Sequence, residues 1–264
     1  MAKKLILSLS AAVLALTACG GAGDGEKQSA SDLKIYGGAK VAAEDEVAPY
    51  TVVLLQNNAP VCTGALIAPR LVVSAAHCAA LIKKNRPAYI GFGLKAKEAK
   101  LVAVQNFVAH ENFDAAAGSL GGKDVPVNDV GLIQLADDAP EGYAPVKLLG
   151  RSDSLRTGEP VVLAGFGKTD KKSGWFGTVL GELFQVETEV LEEAPLAKEV
   201  WFGNTPGKSA CNGDSGGPAL VRRQQELRLL GVTSRGRDCK SEVIYTDLRY
   251  FQDWIQRTAA DFPS

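Results

Sequence analysis

Apolar residues in this chain gather in short runs rich in Val, Ile, Leu and Ala, broken by turn and polar residues. That punctuation suits strands and excludes long helices. One set of runs covers residues 50–55, 65–67, 71–74, 101–104 and 130–135. After a turn-rich stretch around Gly150 to Gly158, a second set covers 160–164, 183–186, 218–221, 227–232 and 243–245. Two β units of similar length are implied. Only residues 248–258 space Leu248, Phe251, Trp254 and Ile255 at three- and four-residue intervals, which predicts a terminal amphipathic helix packed on the body. The fold class is therefore all-β with a C-terminal helix. A chain of 264 residues with 46% hydrophobic content can build either one large β domain or two small ones.

The N-terminus has a different character. Lys3 and Lys4 precede an apolar or small run from Leu5 to Ala18, with the charged start and short hydrophobic middle of a secretory signal over residues 1–18. The run is too short to span a bilayer. It closes on Leu16-Thr-Ala-Cys19, which resembles the lipobox of bacterial lipoproteins, where Cys19 is diacylated and becomes the mature N-terminus. From Gly20 to Ser31 the chain is Gly, Ala, Ser and charged residues without apolar periodicity, a flexible tether within a segment 19–34. Removing Cys19 from five cysteines leaves Cys62, Cys78, Cys211 and Cys239, an even set in an oxidising compartment, with three possible pairings.

Charge narrows the partners. With 29 Lys+Arg against 30 Asp+Glu, the net charge of −1 offers no field for nucleic acid or an anionic membrane surface. Membrane contact is expected through the Cys19 lipid alone, and the body is expected to be a monomer.

The chemistry is carried by three blocks. Cys211-Asn-Gly-Asp-Ser-Gly-Gly-Pro218 sets a serine among glycines, where the N–H groups of Gly213 and Ser215 can converge on one point as an oxyanion hole. Serine needs a base, and the chain has two histidines. His77 follows an apolar strand in Val73-Ser-Ala-Ala-His-Cys78, whereas His110 sits in a polar loop and is read as structural. A base imidazole also needs a buried carboxylate to hold its tautomer, and Asn128-Asp-Val-Gly-Leu132 places Asp129 at the mouth of an apolar strand.

These blocks, in the order His, Asp, Ser, resemble the active-site blocks of the chymotrypsin/trypsin family. The similarity extends to Ile35-Tyr-Gly-Gly38, like the family's mature N-terminus, and to Tyr250-Phe-Gln-Asp-Trp-Ile255, like its final helix. The resemblance covers Ile35 to the C-terminus. It implies a protease domain over 35–264 built as two six-stranded antiparallel β-barrels, with the active site between them. It implies disulfides Cys62–Cys78 and Cys211–Cys239, protein or peptide substrates, and a triad of His77, Asp129 and Ser215 working through an acyl-enzyme. No metal or organic cofactor is expected, and residues 89–103 hold no acidic calcium loop.

The same resemblance puts Ser209 at the base of the substrate pocket, with Gly236 and Val243 in its walls and Ser234 on the strand edge that pairs with substrate. A neutral base and a shortened slot predict small or medium apolar residues at the cut rather than Lys or Arg, whose buried cation would lack a partner. Where the family has Ser-Trp-Gly, this chain has Ser234-Arg-Gly236, and Arg235 with Arg237 suggests a preference for acidic substrate residues. Lys34-Ile35 resembles the activation bond of a zymogen, cut by another protease so that the Ile35 amine pairs with Asp214. Because that bond lies beyond the tether, the cut would also release the enzyme from its membrane. A catalytically silent binding protein on the same fold is the alternative, and such proteins usually lack a triad member.

Overall fold

The computed structural model describes residues 35, 37–82, 85–119, 123–167, 181–203, 207–236 and 241–263. The signal segment, Cys19, Lys34, Arg237 and Cys239 lie outside them. A two-residue strand β1 (Ala39–Lys40) is followed by β2 (Thr51–Gln56), β3 (Ala59–Ala68), β4 (Leu71–Ser74), the short helix α1 (Ala76–Leu81), β5 (Ala88–Phe92) and β6 (Lys100–Ala109). Helix α2 (Ala115–Ser119) and β7 (Gly131–Leu135) complete the first half. The second half holds β8 (Pro160–Gly165), β9 (Phe184–Ala194), β10 (Glu199–Phe202), β11 (Pro218–Arg223), β12 (Glu226–Gly236), β13 (Val243–Asp247) and the terminal helix α3 (Gln252–Ala260).

Strands β2-β3-β4-β7-β6-β5 close into one antiparallel barrel. In the second half, β9-β10-β13-β12-β11-β8 closes through the β8–β9 pairing, with β1 added on β9. Both barrels therefore have six strands, and closure removes the unpaired edges that an open sheet would expose. The two apolar sets read from the sequence map onto these two barrels. Strand β5 and strand β10 were not apparent in the sequence. The first is Ala-Tyr-Ile-Gly-Phe, too short and Gly-interrupted to alternate, and the second carries Glu199 where an apolar residue is expected.

One core is built from residues such as Val52, Leu54, Leu66, Ile90 and Ile133, all fully buried. Phe251, Trp254 and Ile255 from the C-terminal segment join it, and Trp254 Nε1 donates to Glu111 Oε2 at 2.7 Å. The expected terminal amphipathic helix is thus present, preceded by a 3-10 turn over Leu248–Tyr250. A second core fills the other barrel with Leu163, Phe202, Ala219, Leu230 and Tyr245, and Ile35 is fully buried in it.

Cys62 and Cys78 form a disulfide across 16 residues, tying β3 to α1. Chain-entropy arguments assign a loop of that length about 3 kcal/mol. Replacing both with Ala is expected to lower the unfolding free energy by about that amount, read from urea melts, and an unchanged midpoint would contradict it.

Candidate active site

Strand β4 is a buried apolar run that ends at Ser74, and the chain turns at Ala75 into α1, whose second residue is His77. The first turn of a helix leaves main-chain N–H groups without intrahelical partners. Asp129 supplies one: its Oδ1 accepts the His77 N–H at 2.9 Å. Its Oδ2 lies 2.8 Å from His77 Nδ1 and also accepts from Ser234 Oγ at 2.7 Å. The carboxylate is almost wholly buried, while the His77 side chain keeps 30% exposure, so one face of the ring is open to a substrate. A ring held by Nδ1 presents Nε2 outward, the tautomer a general base needs.

Asp129 owes its place to both barrels. It precedes β7, and the residue before it, Asn128, adopts a left-handed φ of +51°, which asparagine tolerates better than branched residues. From the second barrel, Thr246 Oγ1 donates to the Asp129 carbonyl at 2.9 Å. Ser234, expected on the substrate-binding edge, has its hydroxyl turned to Asp129. Its main chain falls at the register shift between Thr233 and Arg235, outside the β12–β13 ladder.

Ser215 reaches the same place through its backbone. Its carbonyl accepts the Thr63 N–H at 2.9 Å and touches Cys78 Sγ at 3.8 Å, a packing contact because a disulfide sulfur carries no proton. Cys78 neighbours His77 in sequence, so the serine is seated against the histidine loop. Ser215 Oγ makes no hydrogen bond among the described residues, a common condition without substrate. The N–H groups of Gly213 and Ser215 likewise have no acceptor among the described residues, which leaves both free for an incoming oxyanion.

The Ser-Gly-Gly sequence follows from crowding. Gly216 has φ +78°, and a Cβ there would lie 2.0 Å from Ser74 Oγ and 2.5 Å from the Thr63 carbonyl oxygen. Only glycine lets the serine loop sit this close to the first barrel. Thr63 stitches the seam further: its Oγ1 donates to the Gly213 carbonyl at 3.0 Å and accepts the Phe166 N–H at 3.1 Å.

Beside the serine, Asp214 is fully buried, its carboxylate accepting the N–H groups of Gly167 and Cys211, each at 2.8 Å. A Cβ on Gly165 or Gly167 would strike that carboxylate at 2.2 or 2.6 Å, so both glycines are imposed by its approach. Burial pushes the Asp214 pKa up to about 7, against the pull of the two backbone bonds. Cys211 is disulfide-bonded, and its expected partner Cys239 lies outside the described residues.

Of the pocket residues, Ser209 is fully buried and Val243 2% exposed, and Val243 pairs in register with Gly236 on one side and Phe202 on the other. Arg235 departs from the expectation that it faces acidic substrate. Its guanidinium binds both oxygens of the buried Glu199 at 2.6 and 2.9 Å. No sequence signal announced Glu199, Thr63 or Thr246, because each stands alone in an unremarkable strand. His110 packs between the rings of Phe251 and Trp254, with Nδ1 accepting the Asn112 N–H, and burial lowers its pKa. Cys62, Cys78 and His77 offer ligand atoms within 4.8 Å of one another, yet both sulfurs are locked in the disulfide and give no thiolate for a metal.

Residues 35–255 match the Trypsin family. Similar proteins include Trypsin epsilon of Drosophila erecta, 27% identical over 87% of this chain and 89% of its own length. Hypodermin-B of Hypoderma lineatum is 26% identical over 88% and 90% of the two chains. Trypsin of Sarcophaga bullata is 30% identical over 82% and 86%. The chain belongs to the trypsin family of serine proteases.

Asp214 provides a test of this geometry. Because its folded pKa is raised, the folded chain holds a proton that the unfolded chain has lost. Stability from this group is full below the ordinary carboxylate range and declines as pH rises to about 7. The full-length protein is expected to lose a few kcal/mol from this source between about pH 4 and about pH 8. Asp214→Asn should flatten that decline in denaturant melts. An equal slope in the two proteins would contradict the assignment.

Proposed function

We propose that the chain is an exported serine endopeptidase acting through His77, Asp129 and Ser215. The observation that carries this reading is the clamp on His77, a buried carboxylate bound to its main-chain N–H and to Nδ1, beside a serine loop with two N–H groups that have no acceptor among the described residues. Ser215 Oγ attacks the scissile carbonyl while His77 Nε2 takes its proton, and Asp129 stabilises the resulting imidazolium. The N–H groups of Gly213 and Ser215 bind the oxyanion as it forms. His77 then passes the proton to the leaving amine, leaving an acyl-enzyme that water hydrolyses by the same steps.

For specificity, Ser209 forms a neutral base, and Val243, packed with Phe202 and Tyr245, takes up depth beside Gly236. Small or medium apolar residues are the preferred acyl-side partner. Cleavage of a diverse peptide library should release products ending mainly in Ala, Val or Leu; dominant cleavage after Arg would reject the neutral-pocket reading. Stoichiometric labelling of the activated protein by a fluorophosphonate, lost in Ser215→Ala, separates the enzyme from a silent binding protein, which would not label.

Activation is proposed at Lys34-Ile35. Two features support it: Ile35 is already buried in the second core, and Asp214 is a buried carboxylate with only main-chain donors among the described residues. A freed Ile35 ammonium would supply the missing cation and hold the serine loop. With Cys19 lipidated, the cut at Lys34-Ile35 would also detach the protease from the cell envelope, so the precursor is membrane-bound and inactive and the product starts at Ile35. Lys34→Gln should keep the protein in the membrane fraction and prevent labelling; full labelling with Cys19 still joined to Ile35 would overturn this order of events.

A further inference from the structure

Three adjacent strands of the second barrel, β10, β13 and β12, meet the buried side of Asp129. Glu199 on β10 and Thr246 on β13 are register partners, so their side chains share a face. Thr246 on that face bonds the Asp129 carbonyl. On β12, Ser234 bonds Asp129 Oδ2 and the next residue, Arg235, clamps both oxygens of Glu199. Glu199 is only 2% exposed, and the Arg235 side chain is 21% exposed.

We propose that Arg235 and Glu199 form a positioning pair for the catalytic site, holding the Ser234 segment in place and cancelling a buried charge next to Asp129. Arg235 is thereby an internal structural cation rather than a subsite for acidic substrate residues. Rigid bidentate geometry suits arginine to this task, and it explains why a polar residue can stand where an aromatic platform is expected. Ser234 lies at the bulge in β12, where the ladder with β13 gives no support. The adjacent ion pair restrains that bulge from outside the ladder.

The surrounding charges leave Glu199 to Arg235 and Asp129. Burial raises the Glu199 pKa, Arg235 opposes the rise, and the negative charge of Asp129 adds to it, so the two carboxylates feel each other. Among the described residues, three nearby cations are engaged elsewhere. Arg249 binds Asp247 and Glu193, Lys123 binds Glu192, and Lys198 lies over the Phe251 ring. His77 has Asp129 as its ionic partner.

This inference rests on the proposed protease activity, and the pH profile of kcat/KM tests it. Glu199→Gln leaves the Arg235 cation uncompensated beside Asp129, which disfavours the His77 imidazolium. The acid limb is expected to move to lower pH by a few tenths of a unit. Arg235→Met leaves the Glu199 carboxylate unpaired, and the limb is expected to move the opposite way. Each single variant should lose about tenfold in kcat/KM, and the double variant Glu199→Gln/Arg235→Met should recover to within about threefold of wild type with the limb restored. The double variant carries no uncompensated charge, so it also guards against loss of folding in the single variants. An active wild type with superimposable limbs in all variants would overturn the positioning role alone. A wild type that hydrolyses no peptide would overturn the protease reading and this inference with it.

Discussion

The buried carboxylate of Asp129 is the constraint on which the rest of this molecule is arranged. A carboxylate almost without solvent is costly unless every lone pair finds a donor. Here the donors to the carboxylate come from two separate barrels, the His77 main chain and ring from the first and the Ser234 hydroxyl from the second, while the Thr246 hydroxyl holds the Asp129 carbonyl. Neither barrel alone satisfies the group. Its burial therefore requires the two to meet in one register, and the same seam brings the Ser215 carbonyl against Thr63 and Cys78, the neighbour of His77.

The seam around that carboxylate is governed by close approach. Thr63 bridges the Ser215, Gly213 and Phe166 main chains, and Gly216 is pressed against Ser74 and Thr63 with no room for a side chain. Behind the serine, Asp214 is enclosed by Gly165 and Gly167 in the same manner. Two buried carboxylates thus flank the proposed nucleophile. Asp129 accepts from a main-chain N–H, a ring nitrogen and a hydroxyl, whereas Asp214 has main-chain donors and no cation among the described residues, so burial raises its pKa and the proposed ammonium at Ile35 would matter.

Much of this was legible in the residues, for identifiable reasons. Closed antiparallel barrels bury short apolar runs between turns, so strands such as β4 and β8 stand out, while β5 and β10 do not because Gly91 and Glu199 break their patterns. His77, Asp129 and Ser215 lie in local blocks whose glycines and apolar neighbours serve the site directly. Cys62–Cys78 also stands as the family resemblance implied. What escaped is what depends on contacts across sequence: Ser234 turned toward Asp129, Thr63 across the seam, and the Glu199 partner of Arg235. A lone serine, threonine or glutamate in a strand carries no mark of the group it will meet more than a hundred residues away or two strands across the same sheet.

Asp129 also defines the account's most direct test. Asp129→Asn keeps size and most hydrogen bonds but cannot hold the same imidazole tautomer or stabilise its cation. Under conditions where the wild type hydrolyses peptides, kcat is expected to fall by on the order of 10⁴ at neutral pH, with the thermal midpoint showing that the barrels remain folded. A folded Asp129→Asn protein that keeps its peptide hydrolysis to within about tenfold of wild type would contradict the claim that this carboxylate organises the site.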